Sequence, residues 1–247
     1  MRKYGWKKDT VDERDFKFCL TKPVEAPVLV DLEETCPPVY DQGNSSSCTA
    51  NGIAAGIEFD QIKQKLPVFT PSRLFIYYNE RELEGDPNED AGAQIRDGIK
   101  LVNTIGVCPE TLWPFDESKI TTKPLLECYV QAKAHPTVSY HRVNQDSNSL
   151  EQVLASGFPI VFGFTVFESF EGAEVAKTGI LGMPSRHEQY CGGHAVLCVG
   201  YDRAKQMVKV RNSWGASWGQ RGYFWMPYEY ISNPNLADDF WVIQTVK

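Results

Sequence analysis

The apolar residues change period halfway along the chain, and that change restricts the fold more than any other feature. From Ser46 onward, Ile53, Ile57, Ile62 and Leu66 recur at intervals of four or five, a helical spacing. Gly52 and Gly56 lie one turn apart in the same stretch, where another element can pack closely. Thr70-Pro71 reads as an N-cap with a first-turn proline opening a second helix over residues 72–83. Ile95, Ile99 and Val102 line a third helix that stops near Gly106. The later half turns to strands, beginning with apolar runs at 160–166 and 195–201. A polar turn at 202–205 then leads to 207–211, where Val208 and Val210 alternate with Lys209 and Arg211, predicting one buried and one wet face. Segments 223–225 and 240–246 complete a predicted antiparallel sheet. A short helix interrupts it, with Ser149 and Gln152 spaced as a capping box and Gly157 at its end. The organisation is α+β: an N-terminal extension (1–24), a mainly helical part (25–135) and a mainly β part (136–247).

A chain of 247 residues has room for two small lobes sharing a cleft. A net charge of -7 argues against a nucleic-acid binder, which would present a basic face. No apolar run approaches the roughly 20 residues that span a bilayer. The basic start (Arg2, Lys3) lacks the apolar stretch of a secretory signal. Seven cysteines, an odd number without pairwise spacing, fit mostly reduced thiols, although a bridge such as Cys19 to Cys36 stays open. The expectation is therefore a monomer of the cytoplasm, without membrane or nucleic-acid partners. No cofactor or metal is expected.

Three segments carry chemistry. Residues 41–47, polar and containing Gly43, deliver Cys48 to the start of an apolar helix, whose unsatisfied N–H groups favour a thiolate. Gln42, six residues earlier, can aim its amide at an oxyanion together with the Cys48 N–H. Taken alone, such a cysteine is better read as a buried structural thiol. Gly192-Gly193-His194 places a histidine at the mouth of a buried strand, and Asn212 ends the strand before Trp214-Gly215 and Trp218-Gly219. Alone, the histidine reads as a rim residue and the tryptophans as core. A thiol nucleophile, however, needs a base, and the base needs an orienting acceptor. Cys48, His194 and Asn212 follow in that order, each at an element terminus.

With Gln42-Gly43, Cys48, Gly193-His194-Ala195-Val196, Gly200-Tyr201, Asn212-Ser213-Trp214-Gly215, Trp218-Gly219 and Gly222-Tyr223, the chain resembles the papain/cathepsin family of cysteine proteases. The resemblance implies a papain-like fold, with a helical left lobe and an antiparallel β-barrel right lobe on either side of an active-site cleft. It implies a cysteine endopeptidase acting on peptide or protein substrates through a thioester. Cys48 would be the nucleophile, His194 the general base and acid, Asn212 the orienter of His194, and Gln42 the oxyanion donor. Trp218 resembles the indole that shields the Asn–His hydrogen bond. Gly92 resembles the glycine that pairs with substrate backbone, and Gly193 leaves the pocket without a side chain at that point. Asp238 falls in a segment resembling the floor of the S2 pocket, where it would favour a basic P2 residue.

The family's Cys-Gly-Ser/Ala-Cys-Trp/Tyr reads here as Ser45-Ser46-Ser47-Cys48-Thr49. One disulfide of the secreted members is thereby lost, and the primed side is altered. The short extension (Tyr4-Gly5-Trp6, then Asp12 to Asp15) resembles the leader of atypical bacterial and viral members, a resemblance that also implies a chain carried in a virus particle as the alternative to the cytoplasm. It would lie over the cleft or the back of the domain, as an inhibitory pro-segment or as a packing strap. Other readings are a catalytically inactive papain-like binding module, a metal site using Cys191 and His194, and an acyl-transferring relative, since acyl transfer shares every step up to deacylation.

Overall fold

The computed structural model describes residues 2–19, 24–134 and 138–245. Its first half runs β1 (Trp6–Lys7), β2 (Leu29–Asp31), α1 (Cys48–Lys63), α2 (Arg73–Glu84), β3 (Ala93–Gln94), α3 (Ile95–Ile105) and α4 (Leu126–Ala132). The second half runs β4 (Val138–Arg142), α5 (Ser147–Ala155), β5 (Ile160–Phe167), α6 (Ala173–Thr178), β6 (Tyr190–Asp202) and β7 (Met207–Arg211). It ends with β8 (Tyr223–Pro227), α7 (Tyr228–Ser232) and β9 (Ala237–Thr245). The main sheet has the order β4-β9-β5-β6-β7-β8, with β2 added against β6. Every pairing in it is antiparallel. The path does not close, so the expected barrel is an open sheet ending at β4 and β8.

Period-two alternation gives the sheet two buried faces. Val161, Ala195, Leu197, Val199, Trp241 and Ile243 point into one core with Ile53, Ile57, Ile95 and Ile99 of the helices. Phe162, Phe164, Val196, Cys198, Phe240 and Val242 point into the other with Leu150, Val153 and Leu154 of α5. The predicted close approach to α1 is made by the sheet: a Cβ on Gly52 would lie 3.3 Å from Val161, and one on Gly56 3.6 Å from Ile243 and Val161. The contact sets the N-terminus of α1 beside β6, which carries His194.

Three local expectations are corrected. Helix α2 is capped by Ser72, whose hydroxyl accepts from the Phe75 N–H at 3.1 Å, whereas Pro71 forms a bridge with Pro109. Helix α5 is capped by Asp146, which accepts from the Ser149 N–H at 2.8 Å. A carboxylate three positions before the expected cap takes the free N–H groups. The predicted wet face of β7 is buried as well. Lys209 pairs with Asp31 and Glu33, and Arg211 donates to the Pro38 carbonyl and lies over the Tyr40 ring, so the segment before α1 roofs these charges.

Candidate active site

Cys48 is the first residue of α1 and is buried. Burial pushes its thiol up to about 11, against the backbone N–H groups of Ala195, Gly5 and Thr49, which act in the opposite direction. Ala195 directly follows His194 on β6, so strand and helix terminus meet at the sulfur. The loop before the helix is held by its own side chains. Ser45 Oγ donates to the Gln42 carbonyl at 2.7 Å and lies 2.7 Å from Ser47 Oγ, while Asn51 Nδ2 donates to the Ser47 carbonyl at 2.9 Å. The serine that replaces a cysteine here thus closes the loop by hydrogen bonds. Gln42 is buried; its Nε2 donates to the Ser45 carbonyl at 2.8 Å and its Oε1 accepts from Ser213 Oγ at 2.6 Å. An amide nitrogen carries two hydrogens, so a second donor is available.

His194 is fully buried, and its Nε2 donates to Asn212 Oδ1 at 2.8 Å. The same oxygen accepts from the Ser213 N–H at 2.8 Å, which fixes the amide as the acceptor. This leaves Nδ1 as the basic nitrogen, and it has no hydrogen-bond partner among the described residues. Desolvation holds the imidazole down to about 4, the Asn212 bond opposing and the Arg2 charge assisting. Aromatic rings box it in: Trp214 stacks on it at 5.1 Å between centroids, with Phe164, Phe170 and Tyr4 at 5.8, 6.2 and 5.8 Å. The ring lying on His194 is therefore Trp214 and not the expected Trp218, because the turn after Asn212 brings the nearer indole onto the imidazole. Trp218 stands behind it, edge-on at 5.1 Å.

Residues 2–9 run across this junction. Arg2 lies 4.4 Å from the Trp214 ring centre, and Tyr4 donates to Glu171 at 2.6 Å. Gly5 is so close to the loop before α1 that a Cβ there would meet the Ser46 carbonyl at 1.8 Å. Its own carbonyl accepts from the Ala93 N–H at 2.7 Å, and β1 pairs with β3 in parallel. Gly92, with φ of 73°, must be glycine because the Gly5 backbone fills the place of its side chain. Trp6 lies against Gly193 and donates its Nε1 to Asp239 at 3.0 Å. Asp238 faces Lys8 at 2.6 Å and Arg142 at 3.7 Å. Asp9 anchors the end of the segment, accepting from Arg142 at 3.1 Å, Trp241 at 2.8 Å and the Arg96 N–H at 3.1 Å.

No group of three or more metal-ligating side chains is found among the described residues, so the Cys191–His194 pair stands without further ligands. No helix among them is long and apolar enough to cross a membrane. All seven cysteines are free.

A buried thiol at a helix start, against a strand bearing a histidine bonded to an asparagine, in a helix-on-sheet fold of this topology, defines a papain-like cysteine peptidase. The family model for papain family cysteine proteases matches residues 26–240, and the chain belongs to that family. It is 45% identical to an uncharacterized peptidase C1-like protein of Acanthamoeba polyphaga mimivirus, over 99% of this chain and 88% of the viral one. Among solved structures it is similar to xylellain, a cysteine protease from Xylella fastidiosa, at a TM-score of 0.91 and 47% identity, covering 99% of this chain and 96% of that one. A digestive procathepsin L 3 of Tenebrio molitor shares the fold at a TM-score of 0.73 and 17% identity, covering 94% of this chain and 74% of that one. The bacterial and viral likenesses agree with the atypical branch that the sequence resembles.

Proposed function

We propose that this cysteine peptidase is an endopeptidase that works through Cys48, His194 and Asn212, with Gln42 and the Cys48 N–H receiving the oxyanion. One observation carries the reading: His194 spends Nε2 on Asn212, and its basic Nδ1 is left unpartnered beside the helix that begins at Cys48. In the reaction, Nδ1 takes the thiol proton and the sulfur attacks the scissile carbonyl. The carbonyl oxygen gains charge and is met by the free hydrogen of Gln42 and the Cys48 N–H, each worth roughly 3 kcal/mol at the transition state. The imidazolium then gives its proton to the leaving amine, and water hydrolyses the thioester. Trp214 and Phe170 exclude water from the His194–Asn212 bond, where a lower dielectric strengthens it.

Residues 2–9 hold the site closed in the same reading. Gly5 fills the approach to the thiol, and a buried thiol near 11 with an imidazole near 4 is a neutral pair instead of a thiolate–imidazolium one. The extension therefore acts as an inhibitory strap whose displacement activates the enzyme. The test is turnover of a fluorogenic peptide by the full-length Tyr4→Ala/Trp6→Ala variant. Hydrolysis that disappears in the same variant carrying Cys48→Ser is expected. Turnover that survives Cys48→Ser would refute the assignment, and equal turnover by the wild-type chain would refute the strap.

A further inference from the structure

Asp9 of the extension and Asp239 of β9 meet with one cation to share. The Asp9 N–H donates to Asp239 Oδ2 at 2.7 Å, and the same oxygen accepts from the Trp6 indole N–H at 3.0 Å. Both carboxyl groups are buried. Arg142 of β4 stands over the two, 3.1 Å from Asp9 and 3.4 Å from Asp239. The surrounding acids have cations of their own. Lys8 pairs with Asp238 at 2.6 Å, Arg14 with Asp12 at 2.8 Å, and Arg96 of α3 with Asp15 at 3.3 Å. Arg142 also faces Asp15 and Asp238, so its charge is divided further. Glu13 and Lys17 complete the charged lining of the cavity at this junction, which measures about 260 Å³. One guanidinium does not neutralise two buried carboxylates, and a buried charge without a partner is unfavourable, so the pair keeps a proton. Burial and the Asp239 charge push Asp9 up to about 7, against the bonds from Trp241, the Arg96 N–H and Arg142. Asp239 is raised as well, by burial.

We propose that Asp9 and Asp239 form a proton latch: with one proton between them they hold residues 2–9 across the active site, and loss of that proton loosens the hold. The inference rests on the inhibitory strap described above and adds its control. Undocking parts the two acids and returns Asp9 to water, where its ordinary value is about 3.9. Docking therefore takes up a proton. The docked value is raised, so the latch is complete below the ordinary carboxylate range and is lost as pH rises towards 7. His194 acts in the opposite sense. Covered, it is held neutral, which favours docking above the ordinary imidazole value of about 6.5 and opposes it below. The two effects oppose each other in mildly acid solution, so the latch is isolated by comparison, at each pH, with a chain that lacks it.

The experiment measures iodoacetamide labelling of Cys48, with peptide mapping, from pH 5 to 8 in the full-length wild type, Asp9→Asn and Asp239→Asn. Asparagine keeps the shape without titrating, and it tolerates the left-handed backbone of residue 239, at φ of 59°. The sulfur and His194 are common to all three chains, so their own pH dependence drops out of the rate ratio. The wild type should label faster than Asp9→Asn by a ratio that grows with pH, about tenfold or more between pH 5 and 8. Asp239→Asn should give the same trend, and it decides if Asp9→Asn does not fold. Glu13→Gln, on the same cavity, should track the wild type; a shift like that of Asp9→Asn would assign the effect to general charge and overturn the pair. A ratio that stays flat or falls with pH would overturn the latch. Peptide turnover by Tyr4→Ala/Trp6→Ala separates the two readings. A flat ratio with peptides cleaved would strike the latch alone, whereas a rising ratio with no peptide cleaved would strike the protease reading and leave the latch standing.

Discussion

Replacing Trp6 by alanine should expose Cys48 far more than any change on the outer side of the same segment. The indole is half-buried, and about 120 Å² of its apolar surface, at ~25 cal/mol per Å², is worth about 3 kcal/mol of docking free energy. Its hydrogen bond to Asp239 adds about 1 kcal/mol, partly regained when water replaces the donor. A net loss near 3 kcal/mol raises the undocked fraction roughly 100-fold, since each 1.4 kcal/mol is tenfold. The assay is iodoacetamide labelling of the full-length chain at neutral pH with peptide mapping, which isolates Cys48 from the other six cysteines. Where docking is fast relative to labelling, the rate follows the undocked fraction. Val11, an exposed residue two positions past the anchor Asp9, provides the control, and Val11→Ala should leave the rate unchanged. A rise of less than about 3-fold in Trp6→Ala would refute the reasoning, because 3 kcal/mol of docking could not then reside in that side chain.

Further outcomes follow from the same contacts. Gly5→Ala forces a methyl into the Ser46 carbonyl and should speed Cys48 labelling as Trp6→Ala does; an unchanged rate would mean that the segment does not sit against that loop. His194, held near 4 by burial, should stay neutral from pH 8 to 5 in imidazole NMR of the full chain, and should titrate within that window in Tyr4→Ala/Trp6→Ala. A wild-type resonance assigned to His194 and titrating at 6.5 would contradict the desolvated site. Glu80, fully buried beneath α1 and accepting from Thr49 Oγ1, is pushed well above the ordinary range by desolvation. Its folded pKa is raised, so its contribution is complete below the ordinary carboxylate range and is lost as pH rises towards its folded value. Glu80→Gln should therefore match the wild type in melting temperature near pH 4.5 and exceed it at pH 8; a lower melting temperature at pH 8 would show that the charged form is the one stabilised.

What the sequence revealed was local, and what it concealed lay between distant segments. Helix α1 was legible because its apolar spacing and its two glycines belong to one stretch, and the glycines meet the sheet as expected. Cys48, His194 and Asn212 stand out through short motifs, and the first and last sit at element ends. His194 lies inside β6 and not at the mouth of its strand, because pairing with β5 extends that strand back to Tyr190. The caps of α2 and α5 were misplaced because Ser72 and Asp146 compete with neighbouring residues of similar capping power, and only the backbone path decides between them. Lys209 and Arg211 read as solvent-facing because nothing near them announces the acids and carbonyls of residues 31–38 that cover them. Trp214 and Trp218 are indistinguishable as Trp-Gly pairs, and only the turn after Asn212 puts the first on the imidazole. Gly163, a lone glycine in a strand of mostly large residues, signals a close approach, but nothing local names its partner, because Trp6 lies at the other end of the chain.

The central claim is that Cys48 is a nucleophile activated by His194 and covered by residues 2–9. Its most direct measurement is the rate of covalent modification by an epoxide inhibitor of papain-like proteases, mapped by peptide mass. In full-length Tyr4→Ala/Trp6→Ala the adduct should form at Cys48 alone, at least 10-fold faster than in the wild-type chain for even about 1.4 kcal/mol of lost docking, and should vanish with His194→Ala. An adduct at another cysteine, or labelling of Cys48 that persists without His194, would contradict it.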